Sequence, residues 1–205
     1  MAVKSSFTNM ILCLGTITLV CGALLAGIYI LTASPIEQAK KARTQEAIAK
    51  VLPPFESLSE AAVDGEFEYS FAMDAQGDTV GVAIKTFSTG FGGRIRMMVG
   101  FKTDGTVCST SILEHSETPG LGAKAEESAF AGQFVGFDPA QKKLLVKQDN
   151  GDVDAITAAT ITSRAYCVAV QNAVDEFRKL MPAAPAEIAD TTDVEIVNME
   201  GNINE

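Results

Sequence analysis

The chain has no tryptophan and a single histidine, His115, so a multi-histidine metal centre is excluded. It has four cysteines and no C-x-x-C pair. Basic residues are in deficit: 16 Lys and Arg stand against 26 Asp and Glu, a net charge of −10. Nucleic acid binding needs clustered positive charge, so that class is set aside. Two shortages are local. No charged residue lies between Lys4 and Glu37, and no basic residue follows Lys179.

The first local shortage marks an apolar run, Met10–Ala33. At about 1.5 Å per residue it exceeds the ~30 Å of a bilayer's hydrocarbon core. It is also longer than the ~7–15 apolar residues of a cleaved signal peptide, so it reads as a retained transmembrane helix. Ser34-Pro35-Ile36-Glu37 then has the parts of a new helix start: a cap, a proline at the first position and a capping-box glutamate. A separate stalk helix is expected from there to about Leu52, ended by Pro53-Pro54. Lys40, Lys41, Arg43 and Lys50 outnumber Lys4, so the charge rule taken alone keeps the C-terminal part in the cytoplasm.

From Phe67 the pattern turns to strands. Phe67–Met73, Thr79–Phe87, Ile95–Phe101 and Val107–Glu114 are separated by the turns Gln76-Gly77-Asp78 and Thr103-Asp104-Gly105 and by the loop Ser88–Gly93. That glycine-rich loop lacks the Lys-Ser/Thr ending of a phosphate loop and opens no helix. A short helix, Glu126–Phe134, and one more strand, Leu144–Val146, follow. Cys167, Val170, Val174, Phe177 and Met181 share one face of a long helix, with Gln171, Asp175, Arg178 and Lys179 opposite. Cys108 and Cys167 read as buried thiols, with a disulfide between them open. The fold class is α+β: a transmembrane segment (1–33), a stalk (34–54), a domain of antiparallel sheet packed with helices (55–182), and an acidic, flexible tail (183–205) in which Val194-Ile196-Val197 can add an edge strand.

Two loops carry candidate chemistry. One is Glu117-Thr118-Pro119-Gly120-Leu121-Gly122, a tight turn that holds out an apolar side chain. The other is Asp154-x-x-Thr157-Ala158-Ala159-Thr160-x-Thr162-Ser163, immediately before the long helix. Thr162 or Ser163 would serve as a simple helix cap. The two tiny residues between two hydroxyls suit something else, the close approach of a bulky anion to a helix N-terminus.

Together the loops resemble the FMN-binding domain family. With the single membrane helix, the chain is similar to the G subunits of Rnf-type ion-translocating electron-transport complexes, siblings of the C subunits of sodium-pumping NADH:quinone reductases. The resemblance covers about residues 10–182, including Gly90-Phe91-Gly92-Gly93. It implies FMN held by a phosphoester to Thr160, with Glu117, Thr118, Leu121, Gly122, Lys124, Thr157, Ala158, Ala159 and Thr162 around it. It implies that a flavin transferase reads Asp154. The family usually has Ser-Gly-Ala-Thr where this chain has Thr157-Ala158-Ala159-Thr160, and alanine takes a positive φ less cheaply than glycine. The implied function is electron relay between reduced ferredoxin and NAD, coupled to Na⁺ or H⁺ transport, alongside other membrane and iron–sulfur subunits. No catalytic residue is expected in the isolated chain. The implied place is the bacterial inner membrane, N-terminus inside and domain outside, opposite to the charge count. The alternatives are the C-type component of the quinone reductase, which the compact length disfavours, and an extracytoplasmic sensor or scaffold with Thr160 unmodified.

Overall fold

A computed structural model describes residues 7–181; the tail and its edge-strand segment lie outside the described residues. Helix α1 (Phe7–Val51) runs 45 residues without a break. It is long and apolar enough to cross a membrane, and none of its most apolar stretch is buried within the protein. The hydroxyls of Thr16, Thr18 and Thr32 donate to the carbonyls of Leu12, Leu14 and Ile28, so these polar groups are satisfied inside the helix.

No second helix starts at Ser34, which corrects the expected boundary between membrane segment and stalk. Pro35 sits inside α1. A proline removes one i→i−4 bond and crowds the carbonyl four residues back, a cost of about 3 kcal/mol. Long uninterrupted helix on both sides absorbs that loss. Propagation past the proline avoids the greater expense of stopping and nucleating again.

Six antiparallel strands follow: β1 (Ser57–Leu58), β2 (Ala62–Asp64), β3 (Phe67–Met73), β4 (Thr79–Thr89), β5 (Arg94–Lys102) and β6 (Val107–Glu114). Their order is β1-β3-β4-β5-β6, with β2 also paired to β3. Strands β3–β6 fall where the turn residues place them in the sequence. The two short strands β1 and β2 are additional; they are too brief to show alternation.

The central strands are buried on both faces, and alternation decides what each face meets. Val82, Ile84, Met97, Val99 and Phe101 join the larger core under helix α3 (Thr160–Leu180). Ala83 and Met98 face the other way and pack with Ala72 against Ala47, Ile48, Val51 and Leu52 at the end of α1. Small residues on that second face let α1 come close. At Gly100 a Cβ would fall on the Val51 carbonyl.

Between sheet and final helix the chain forms short helical turns rather than the single helix expected over Glu126–Phe134. These are 3₁₀ turns at Gly122–Glu126 and Gly132–Phe134 around helix α2 (Ser128–Ala131). Phe130 and Phe134 do share one side, each packing against Tyr166. Leu144–Val146 is not a strand; only Val146 bridges, to Val153. The segment is tied instead by turn bonds such as Lys147 N to Val153 O. Cys108 falls where the β5–β6 register shifts and is half-buried, while Cys167 is buried in the larger core. Both are free thiols, so the open disulfide does not form.

Gly100→Ala is expected to destabilise the chain by about 1–3 kcal/mol by pushing the end of α1 off the sheet, read by denaturant titration in detergent. Burial pushes the Cys167 thiol up to about 12. At pH 8 its thiolate fraction is then about one in ten thousand. Cys167 should therefore resist thiol reagents in the native protein and react only after unfolding, as peptide mapping of labelled protein will show.

Candidate functional site

Helix α3 is pinned to the sheet by polar bonds set among apolar contacts. Thr86 Oγ1 donates to Ala169 O at 3.0 Å, Ser88 Oγ to Ala165 O, and Asn172 Nδ2 to Phe87 O at 3.2 Å. These bonds fix where the helix begins. Thr160 is its first residue, and Ala159 precedes it with no side-chain cap bond.

Thr162 and Ser163 lie inside the first turn and do not cap the helix. Ser163 Oγ accepts from Ile156 N at 2.9 Å and donates to Ala159 O at 3.1 Å, so it braces the incoming turn. Thr162 Oγ1 donates to Glu117 Oε2 at 2.8 Å. The first helical bond runs from Ser163 N to Ala159 O, and the earlier N–H groups have no acceptor within the helix.

Ile156–Ala159 forms the turn before α3, closed by Ala159 N to Ile156 O at 3.0 Å. Its third residue, Ala158, has φ +61°. That position normally takes glycine, and a Cβ there costs about 1–2 kcal/mol. The strain lies at the motif itself, on the residue where the sequence departs from the usual glycine.

Glu117 joins the two loops. It is only 6% exposed. Its Oε1 accepts from Gly92 N at 3.1 Å and its Oε2 from Thr162. A buried carboxylate loses several kcal/mol of hydration, and each such bond to a charged group returns about 1.5–3 kcal/mol. Gly122 lies so close that a Cβ would run into both Glu117 Oε2 and Thr162 Oγ1. Below it, Glu117 N donates to His115 Nδ1 at 3.1 Å, leaving the Nε2 proton facing Glu126 Oε1 at 3.2 Å. The lone histidine thus braces the loop.

The result is a cleft of about 390 Å³, within the range of small-molecule sites. Glu117, Thr118, Leu121, Gly122, Ala158, Ala159, Thr160 and Thr162 line it. Two residues expected around the cofactor do not, and Asp154, expected only as a recognition residue for a flavin transferase, also lies outside. Lys124 is outside it in the 3₁₀ turn beyond Gly122, Thr157 is exposed on the turn, and Asp154 pairs with Lys147 at 2.8 Å. The reason is geometric: the turn at Ala158 presents Ala158 to the cleft in place of its neighbour, and the 3₁₀ start carries Lys124 past the rim.

Two further residues line the cleft that the motifs do not single out, Phe91 and Ile161. Both are large, apolar and well exposed, at 70% and 51%. The sequence holds a signal for each. Phe91 stands among glycines that cannot bury it, and Ile161 lies off the apolar stripe of its helix.

Comparison with known proteins places the chain among described relatives. The family model described as FMN-binding domain matches residues 90–175. The G subunit of the ion-translocating oxidoreductase complex of Methanosarcina acetivorans is 33% identical over 183 residues, covering 85% of this chain and 96% of that protein. The G subunit of the proton-translocating ferredoxin:NAD(+) oxidoreductase complex of Clostridium ljungdahlii is 33% identical over 170 residues, covering 78% and 87%. Among solved structures, the C subunit of the Na(+)-translocating NADH-quinone reductase from Parabacteroides distasonis aligns with a TM-score of 0.49 and 19% identity, over 70% of this chain and 84% of that one.

Relieving the strained turn should show in stability: Ala158→Gly is expected to stabilise the domain by about 1 kcal/mol, raising its melting temperature by about 2–4 °C in calorimetry.

Proposed function

The chain belongs to the family of G subunits of ion-translocating oxidoreductase complexes, and from that premise we propose that it carries FMN esterified to Thr160 and relays electrons within such a complex. The observation that supports this most is the placement of Thr160. This hydroxyl-bearing residue opens α3 and lines the cleft, beside N–H groups that have no helical acceptor. A phosphodiester keeps one negative charge, which the unpaired donors and the dipole of a 21-residue helix favour. The ester would form from a flavin dinucleotide: the Thr160 Oγ1–P bond forms at the FMN phosphorus as its bond to the adenylate phosphate breaks, and AMP leaves with the hydroxyl proton. The chain gains FMN less one water.

Leu121, Phe91 and Ile161 supply apolar surface for a ring system, and Thr118 and Thr162 supply hydroxyls. Glu117 is the only charged residue lining the cleft among the described residues. The flavin supplies the redox chemistry; the chain fixes its place and keeps it from diffusing away. Asp154 is exposed outside the cleft, where a flavin transferase can reach it. The globular domain lies outside the cytoplasm in this reading, where a tethered cofactor is worth more than a freely exchanging one. Electron flow there connects ferredoxin and NAD in concert with the other membrane and iron–sulfur subunits, coupled to ion movement.

Intact-protein mass spectrometry of chain matured with the flavin transferase tests the proposal. Wild-type protein should gain one FMN less water and Thr160→Ala none, while Thr157→Ala, outside the cleft, should be modified as wild type is. Unmodified wild-type protein would favour a scaffold or sensor.

A further inference from the structure

A second cleft lies where α1 meets the sheet, on the side toward the apolar run. Lys40, Arg43 and Thr44 of α1, Lys85 of β4, Arg96 of β5, and Leu113 and Glu114 of β6 line a space of about 210 Å³. Four cations meet there in a chain whose net charge is −10.

Two of the four are engaged. Lys85 Nζ lies 2.7 Å from Glu68 Oε2, and Arg96 Nη1 lies 2.6 Å from Glu114 Oε2. Lys41, next door on α1, pairs with Glu37 at 3.0 Å. Lys40 and Arg43 make no ion pair among the described residues. The field of Lys40 is felt: the Glu114 carboxyl is held below the usual carboxylate range, first by its bond to Arg96 and next by the charge of Lys40.

Position selects the ligand. Lys40 is seven residues past Ala33, the last of the apolar run, so it stands about 10 Å beyond the hydrocarbon edge. The headgroup layer is about 5–8 Å deep on each side. Long basic side chains cover the difference by reaching back toward the interface. The helix is held rigidly there by the apolar contacts of Ala47, Ile48 and Val51 on the sheet. The chain as a whole is repelled by an anionic surface, so attraction must be local.

We infer that this cleft binds the phosphate of an anionic phospholipid headgroup, with Lys40 and Arg43 as its principal charges. The inference rests on α1 spanning a membrane, which alkaline carbonate extraction checks separately, and it does not depend on the flavin ester. Binding seats the domain against the bilayer through the two free cations.

The test uses full-length chain in a non-ionic detergent, titrated with dioctanoyl phosphatidylglycerol, dioctanoyl phosphatidylcholine or inorganic phosphate, with melting temperature as the readout. Phosphatidylglycerol should raise the melting temperature and phosphatidylcholine should not. In Lys40→Gln/Arg43→Gln the apparent affinity should fall about 30-fold, two charges at about 1 kcal/mol each. Lys40→Arg/Arg43→Lys should keep the response, and both variants should melt as wild type does without lipid. Equal shifts from the two lipids, or a full response in the glutamine variant, would overturn the inference. So would inorganic phosphate matching phosphatidylglycerol at equal concentration, which would mark a free-anion site instead.

Discussion

The buried carboxylate of Glu117 is the tie on which the cleft depends. It accepts one hydrogen bond from the glycine loop and one from the first turn of α3, while its own backbone is braced by His115. Three segments far apart in sequence are thereby held around one space. An apolar residue would pack there but would leave the Gly92 N–H to water and the buried Thr162 hydroxyl without an acceptor, and an unmet buried donor costs more than its bond gains on balance. The close approach at Gly122 follows from the same tie.

The rest of the architecture serves to place the start of α3. The sheet presents alternating residues to two helices, large ones beneath α3 and small ones beneath α1. Apolar packing alone would let α3 slide along the sheet. Its backbone carbonyls at Ala165 and Ala169 accept hydroxyl bonds from β4, and those bonds set its register. Tyr166, fully buried, adds a bond to Thr110 on β6. Burial raises its phenol well above the ordinary value, so it stays neutral.

Much of this is legible in the residues. The run without charge marks a helix long and apolar enough to cross a membrane. Turn residues separate four of the six strands, and a three-and-four spacing marks the buried face of α3. Glycine, threonine and alanine at the two loops point to the cleft, through a family resemblance as much as through their chemistry. Features set by tertiary context are not legible. Pro35 carries a strong stop signal that flanking helix overrides. Thr162 and Ser163 look like caps until Glu117 and Ile156 claim their hydroxyls, and those partners are 45 and 7 residues away. Lys124 sits close to the motif in sequence yet past the rim in space. Ala158 is the instructive middle case, since its unfavourable geometry is foreseeable from composition and is present at φ +61°.

Because α1 passes through Pro35 and ends only at Val51, packed under the sheet, no loose hinge separates the span from the globular part. A tethered domain on a floppy linker samples a volume, and encounters with its neighbours are rationed by that volume. A domain mounted on a continuous mast samples almost none. With α1 across a bilayer, the cleft would be carried at one altitude above the lipid, and any exchange with an adjoining protein would take place at that altitude. Lengthening α1 by a single turn would lift the cleft by about 5 Å and rotate it only slightly.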